Sequence, residues 1–276
     1  MKFLKRLFIL GLLVTLVVSG AFYFYRNSLV KTGIEEGGSF ALGVPVTLDS
    51  AKMSFVGKNI SIANLAIANP PNFDKPLFMK MGHGSVTVES GSLRKKELTV
   101  STIALDGIEL TIEKKEGQAN YDAILENVNR FVDEEPAEGE EPAIKLTVNE
   151  IVLTNITVSA TLLPIGGELS RAELTISEIR IDEFDSNDGL TIGELTSIIT
   201  NAILTDVFKS GAGILPDELL SGLGKSLKGM ASGLSELGIP GIDSLTESSE
   251  KLVEKGKEIG GKLKDAGKKL FNREPN

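Results

Sequence analysis

Between Gly43 and Ile112 the apolar residues recur at every second position in short runs: Val44, Val46 and Leu48; Ile60 and Ile62; Leu65 and Ile67; Val86 and Val88; Leu98 and Val100; Ile103 and Leu105; Ile108, Leu110 and Ile112. Period two predicts strands with one face buried and one wet. Between Ile62 and Leu65 the phase slips by one residue, so a bulge or bend is expected near Ala63-Asn64, and similar offsets recur from Val100 to Ile103 and from Leu105 to Ile108. The same texture resumes in Ile144-Leu146-Val148, Ile151-Leu153, Ile156-Val158, Leu174-Ile176 and Ile179-Ile181, with interruptions such as Asn149-Glu150 and residues 163–167 that suit turns. Residues 103–112 and 151–158 look alike in pattern, a repeated mode of sheet building. The expectation is a bent antiparallel β region over about residues 30–185.

Helical periodicity appears in three places. Ile124, Leu125, Val128 and Phe131 predict a short helix over 121–131, and Leu195, Ile198, Ile199, Ala202, Ile203 and Val207 predict one over 192–208 that covers a sheet face or an apolar opening. From Gly211 to Gly241 there are eight glycines. Each interior glycine costs a helix about 1 kcal/mol, so only short or partner-dependent helices are expected there. Further on, Leu252, Ile259, Leu263 and Leu270 form a narrow apolar stripe flanked by lysines and gapped at Ser249 and Gly256. The gaps weaken a coiled coil; a helix lying on a membrane or on a partner fits the lysine flanks, with a solvated terminal helix as the alternative.

Leu7 to Tyr25 carries no charge and lies between Lys2, Lys5, Arg6 and Arg26, Lys31. Nineteen residues at about 1.5 Å each match a hydrocarbon core of ~30 Å. Val18-Ser19-Gly20 would serve as a signal-peptidase site, but the apolar run continues through Tyr23 and Tyr25 as an interfacial belt would, which favours a retained anchor. The expected placement is therefore a single-pass inner-membrane protein with the bulk of the chain in the periplasm. Domain boundaries follow: anchor 1–28, β region with a short terminal helix 29–132, acidic linker 133–143, continuing sheet 144–185, helical and Gly-rich segment 186–245, and amphipathic helix 246–276.

Composition narrows the chemistry. The chain has 276 residues, no cysteine and one histidine, which removes disulfides, thiol nucleophiles and thiolate metal sites. Aromatic content of 5% leaves few platforms for stacking bases, so no nucleic-acid partner is expected. The net charge of −9 is unevenly spread: six acids fall between Asp133 and Glu141, interrupted by Pro136, and read as a solvated linker. Gly82 and Gly84 place His83 at a turn before the Val86 strand. No G-x-S-x-G, P-loop or dinucleotide fingerprint occurs at a strand-to-helix junction, and Asp106 and Glu109 fall on the polar side of an alternating pattern, so no enzyme activity, cofactor or metal is expected.

The anchor, Leu42-Gly43-Val44-Pro45-Val46, residues 60–73, Leu105-Asp106-Gly107-Ile108-Glu109-Leu110 and Gly117-Gln118-Ala119-Asn120-Tyr121 together resemble the N-terminal region of the AsmA-like family of Gram-negative envelope proteins. The most distinctive piece is the Ala68-Asn69-Pro70-Pro71 turn with Phe73; family members often carry N-P-x-G-F, and here Asn72 stands where they have glycine. The resemblance covers about 120 residues. It implies a strongly curved sheet with an apolar trough, related to lipid-transfer proteins, and hence a phospholipid ligand; the alternation gives a mainly β fold, while the acidic linker and the helical C-terminal third depart from the family pattern. Ile60, Ile62, Leu65, Ile67, Leu105, Ile108 and Leu110 are the lipid-contact candidates. The chain is much shorter than the family members thought to span the periplasm, so the competing expectation is a scaffold or assembly subunit that meets envelope proteins or its own copies.

Overall fold

The structure, a computed structural model, describes residues 25–54, 58–89, 97–133, 145–163, 170–182 and 190–236. Among the described residues eight strands form one sheet: β1 (Val46–Ser54), β2 (Asn59–Ala68), β3 (Leu77–Val88), β4 (Glu97–Lys115), β5 (Gln118–Ala119), β6 (Lys145–Val148), β7 (Glu150–Leu163) and β8 (Ser170–Asp182). Their order is β1-β2-β3-β4-β7-β8, with β5 and β6 also on β4. Among the described residues four helices accompany it: α1 (described over 25–42), α2 (Asn120–Asp133), α3 (Ile192–Ser210) and α4 (Asp217–Glu236). The fold is mainly β, as expected, and α2 and α3 lie within two residues of the predicted helices.

The sheet is mixed, which corrects the expectation of an antiparallel one. β6 and β7 run parallel to β4 at a constant offset, Leu98 beside Leu146 and Ile103 beside Ile151. A parallel neighbour requires the chain to cross back over the sheet. That crossing contains α2, whose Tyr121, Ile124, Leu125 and Val128 are all buried. The two segments of similar pattern, 103–112 and 151–158, are thus side-by-side neighbours.

A second correction concerns curvature: the sheet is not strongly curled. The phase slips at Asn64 and Gly107 do exist, and they lie on one line. Pairing is continuous on both sides of the positions Asp49, Asn64, Gly82, Gly107, Asn155 and Ser177, which form a seam crossing all six main strands. Asn64, Gly107 and Asn155 have φ of 52°, 69° and 53°, the left-handed region that glycine and asparagine enter most easily. A bulge bends a sheet because one strand has a residue more than its neighbour. Here the pairing of all six main strands is interrupted at opposed positions, so no strand is left with excess length. The slip at Val100 is different: the β3–β4 register shifts between Thr87 and Val88, a local bulge.

α1 lies along the outer edge of β1. Asn27, Lys31, Glu35 and Ser39, spaced by four and so on one helix face, meet its backbone. Ser39 Oγ accepts from Val46 N–H (2.8 Å), Glu35 Oε1 from Leu48 N–H (2.8 Å) and Asn27 Oδ1 from Met53 N–H (3.0 Å), and Lys31 Nζ reaches Asp49 O at 3.4 Å. Arg130 of α2 donates to Phe40 O, tying the end of α1 to the helical layer.

The expected single-pass inner-membrane placement is not met: among the described residues no helix is long and apolar enough to cross a membrane. In the described part of α1, Arg26, Lys31, Glu35 and Glu36 interrupt any apolar run. Residues 7–24 of the expected anchor, the acidic linker from 134 and the tail helix 246–276 lie outside the described residues.

The Gly-rich segment contains a helix of twenty residues, α4, rather than the short or partner-dependent helices expected. Packing supplies what propensity lacks: Leu219, Leu220, Leu223 and Leu227 are buried in the core. Tyr121 Oη donates to Leu219 O (3.2 Å), Ser226 Oγ to Asp122 Oδ1 (2.7 Å) and Lys114 Nζ to Glu218 Oε1 (2.8 Å). A side chain at Gly222 would meet the Tyr121 hydroxyl at 2.8 Å, so the glycine lets α4 approach α2.

Candidate binding surface

The seam gives the sheet one continuous apolar face. Two rows on one side of it cross every main strand: Leu48–Leu65–Met81–Ile108–Ile156–Ile176 and Val46–Ile67–Met79–Leu110–Val158–Leu174. Two rows on the other side do the same: Ala51–Ile62–Gly84–Leu105–Leu153–Ile179 and Met53–Ile60–Val86–Ile103–Ile151–Ile181. Regular alternation would turn each strand's apolar residues outward beyond the seam. The polar pair at the seam, Asp106-Gly107 on β4 or Thr154-Asn155 on β7, shifts the phase and keeps them inward. The sole gap in the rows, Gly84, is filled by Ile62 and Met81, whose atoms lie within 3.1 Å of where its side chain would start.

All seven lipid-contact candidates stand in these four rows. Their cover differs. Ile62, Ile67, Ile108 and Leu110 are buried in the core, whereas Ile60, Leu65 and Leu105 are half-buried against it. Met79 and Val86 of β3 share that state. The same rows on β7 hold Ile151, Leu153, Ile156 and Val158, each with no exposed surface. Helix α2 lies on β4 and α3 on β8, with α4 packed against both helices, α1 follows β1, and half-covered apolar positions remain along β2 and β3 on either side of the buried Ile62, Ile67 and Met81. The four candidates of the tail helix, Leu252, Ile259, Leu263 and Leu270, lie outside the described residues.

The opposite face is polar and wet. Lys80 and Glu109 form an exposed ion pair at 3.6 Å, and Arg180 pairs with Glu150 and with Glu178. On this face the seam is stitched by short bonds. Asn64 Nδ2 donates to Asp49 Oδ2 (2.9 Å), and Thr154 Oγ1 and Asn155 Nδ2 both donate to Asp106 Oδ1 (2.7 Å each). Those donors, with the Thr154 hydroxyl foremost, hold the Asp106 carboxyl below the usual carboxylate range. His83, expected at a turn, is inside β3 beside the seam, paired with Ala63 and Asp106. Its flanking glycines answer to the seam at Gly82 and to the Ile62 side chain at Gly84.

At the far end of β4 a buried polar cluster joins the turn that follows β2 to the start of α2. Asn69 Nδ2 donates to Glu113 Oε2 (2.7 Å) and to Lys75 O (2.9 Å), and Lys75 N–H donates to the same carboxyl oxygen (3.0 Å). Asn120 Nδ2 donates to Asn69 Oδ1 (2.9 Å) and Thr111 O (2.8 Å), while its Oδ1 accepts from Glu113 N–H (3.0 Å). Glu113 is 2% and Asn120 0% exposed. The two asparagine amides and Glu113 Oε2 are each satisfied within the protein, so the cluster fastens the Asn69-Pro70-Pro71 turn to the start of α2. Asn72 has φ of 77°, a conformation asparagine tolerates. Among the described residues no group of three or more His, Cys, Asp or Glu side chains is placed to hold a metal ion.

No protein-family model matches the chain, and no curated protein matches it.

Proposed function

We propose that this protein binds lipid without catalysis, in keeping with the AsmA-like envelope proteins its N-terminal region resembles, and that the half-covered strip on β2 and β3 receives an acyl chain. The observation that carries this reading is the uneven cover of an otherwise continuous apolar face: Ile60, Leu65, Met79, Val86 and Leu105 stay half-buried while their row partners on β7 are sealed. A row of half-buried aliphatic side chains suits a flexible hydrocarbon chain, which needs area and no directional partner. The charged opposite face suits solvent.

The test is native mass spectrometry of the full chain purified in mild detergent. Phospholipid or fatty acid should co-purify, and Leu65→Glu with Ile60→Glu should remove most of it, because a carboxylate in the strip would have to be desolvated by the bound chain. Lipid-free protein that also takes up no added phospholipid overturns the reading. An assembly role rests on a different feature, the outer edge of β8.

A further inference from the structure

The two edges of the sheet are treated differently. On β1 the free backbone groups are occupied by side chains of α1. On β8 no second strand is paired, and among the described residues no side chain caps the outer edge over residues 171–179. α3 lies against β8 and Leu174, Ile176 and Ile179 are buried, while Arg171, Glu173, Thr175, Ser177, Glu178 and Arg180 are exposed. An unblocked edge of this length is a template for another strand.

We propose that β8 pairs antiparallel with β8 of a second copy of this chain, in the register that sets Ile176 opposite Ile179 and Leu174 opposite Ile181. The seam selects this occupant. Any strand added to β8 must carry a polar pair at the seam and the accompanying shift of phase; otherwise its apolar residues face inward on one side of the seam and outward on the other. An ordinary extended peptide with strict alternation lacks that shift. β8 has it, with Leu174 and Ile176 before Ser177-Glu178 and Ile179 and Ile181 after.

Setting Ser177 of one copy opposite Glu178 of the other continues the seam across the junction, as Thr154 opposite Glu178 does within the chain. In this register alone do both apolar halves of β8 meet apolar halves on the same face. The two-fold axis then passes through the seam perpendicular to the sheet, so both copies keep their helical layers on one side and the six main strands of each join in one sheet. The contact is isologous and closes at two copies, since the remaining edge of each is capped by α1. Thr175 stands opposite Arg180 of the second copy on the wet face.

The chain has no cysteine, so introduced thiols report position unambiguously. Full-length Thr175→Cys and Arg180→Cys proteins are purified separately, then oxidised alone and as a mixture. The predicted register brings residue 175 to the Cα separation of opposed strand residues from residue 180 of the other copy, about 4.5–5.5 Å, within disulfide reach. It keeps residue 175 about 17 Å from its own counterpart. Disulfide-linked dimers should form in the mixture and not in either variant alone, and Thr47→Cys on β1 should stay unlinked. Wild-type protein should sediment as a dimer, and Thr175→Lys, which sets two lysines against two arginines, should weaken association by about tenfold. Monomeric wild-type protein, or a dimer whose mixed variants do not cross-link, overturns the proposal.

Discussion

Asp106 and Asp206 are two carboxylates with opposite consequences for stability. Hydrogen bonds from Thr154 and Asn155 lower the pKa of Asp106. A carboxyl whose folded pKa lies below its unfolded value stabilises the fold above the unfolded value and loses that contribution as pH falls through the folded one. Asp106→Asn should therefore lower the Tm at neutral pH, and the gap from wild type should close in acid; a gap independent of pH would contradict the assignment. Burial raises the pKa of Asp206 on α3, with Lys209 offsetting part of the shift. Its ionised form is the disfavoured one in the fold, so Asp206→Asn should raise the Tm at neutral pH, with the gain vanishing as pH drops through the raised pKa. Glu113→Ala would strip the acceptor from Asn69 and Lys75 inside a buried cluster, a loss of about 3 kcal/mol in chemical denaturation. None of these three roles was legible in the sequence. Asp106 and Glu113, carboxylates beside apolar residues of a strand, read as solvated, and their partners lie 38 to 49 positions away along the chain, while the burial of Asp206 depends on how α3 packs.

At the scale of the element, α1 is defined by its stripe of polar residues at 27, 31, 35 and 39. Changing Asn27, Glu35 and Ser39 together to alanine should cost about 1 kcal/mol for each backbone donor left without its partner. It should also produce species larger than the wild type in sedimentation, because β1 would become a second open edge. Unchanged sedimentation would show that the helix backbone alone blocks the edge. Periodicity located α2 and α3 because their buried residues recur at three and four. It also located the slip at Asn64, where spacing three replaces spacing two. It missed the continuity of α4, since propensity counts glycine as a loss and cannot see that Gly222 admits Tyr121. Gly222→Leu should displace α4 and lower the Tm; an unchanged Tm would separate that glycine from the packing of α4.

For the whole molecule, spacing three recurs in all six main strands: Leu48 to Ala51, Ile62 to Leu65, Met81 to Gly84, Leu105 to Ile108, Leu153 to Ile156 and Ile176 to Ile179. Read singly, each slip suggests a bend, and together they suggest a meander with frequent bends. Only the register shows that they coincide in one line and cancel. The parallel pairing of β4 with β7 was hidden for a related reason, because alternation carries no direction and nothing in a strand pattern says which way its neighbour runs. The candidate surface was legible as a face and not as a site: seven residues were assigned to one apolar side, and only the packing separates Ile108 and Leu110 in the core from Ile60, Leu65 and Leu105 at the strip. Ile108→Ala should cost about 2–5 kcal/mol, whereas Leu65→Ala, already half-covered, should cost less and act chiefly on lipid uptake. The most direct measurement places a photoreactive side chain at Leu65 or Val86 on the strip, and at Lys80 on the wet face, in full-length protein expressed in cells, and reads the adducts by mass spectrometry. Lipid adducts at Leu65 and Val86 with none at Lys80 are the predicted result; no lipid at the strip, or equal labelling on both faces, would contradict it.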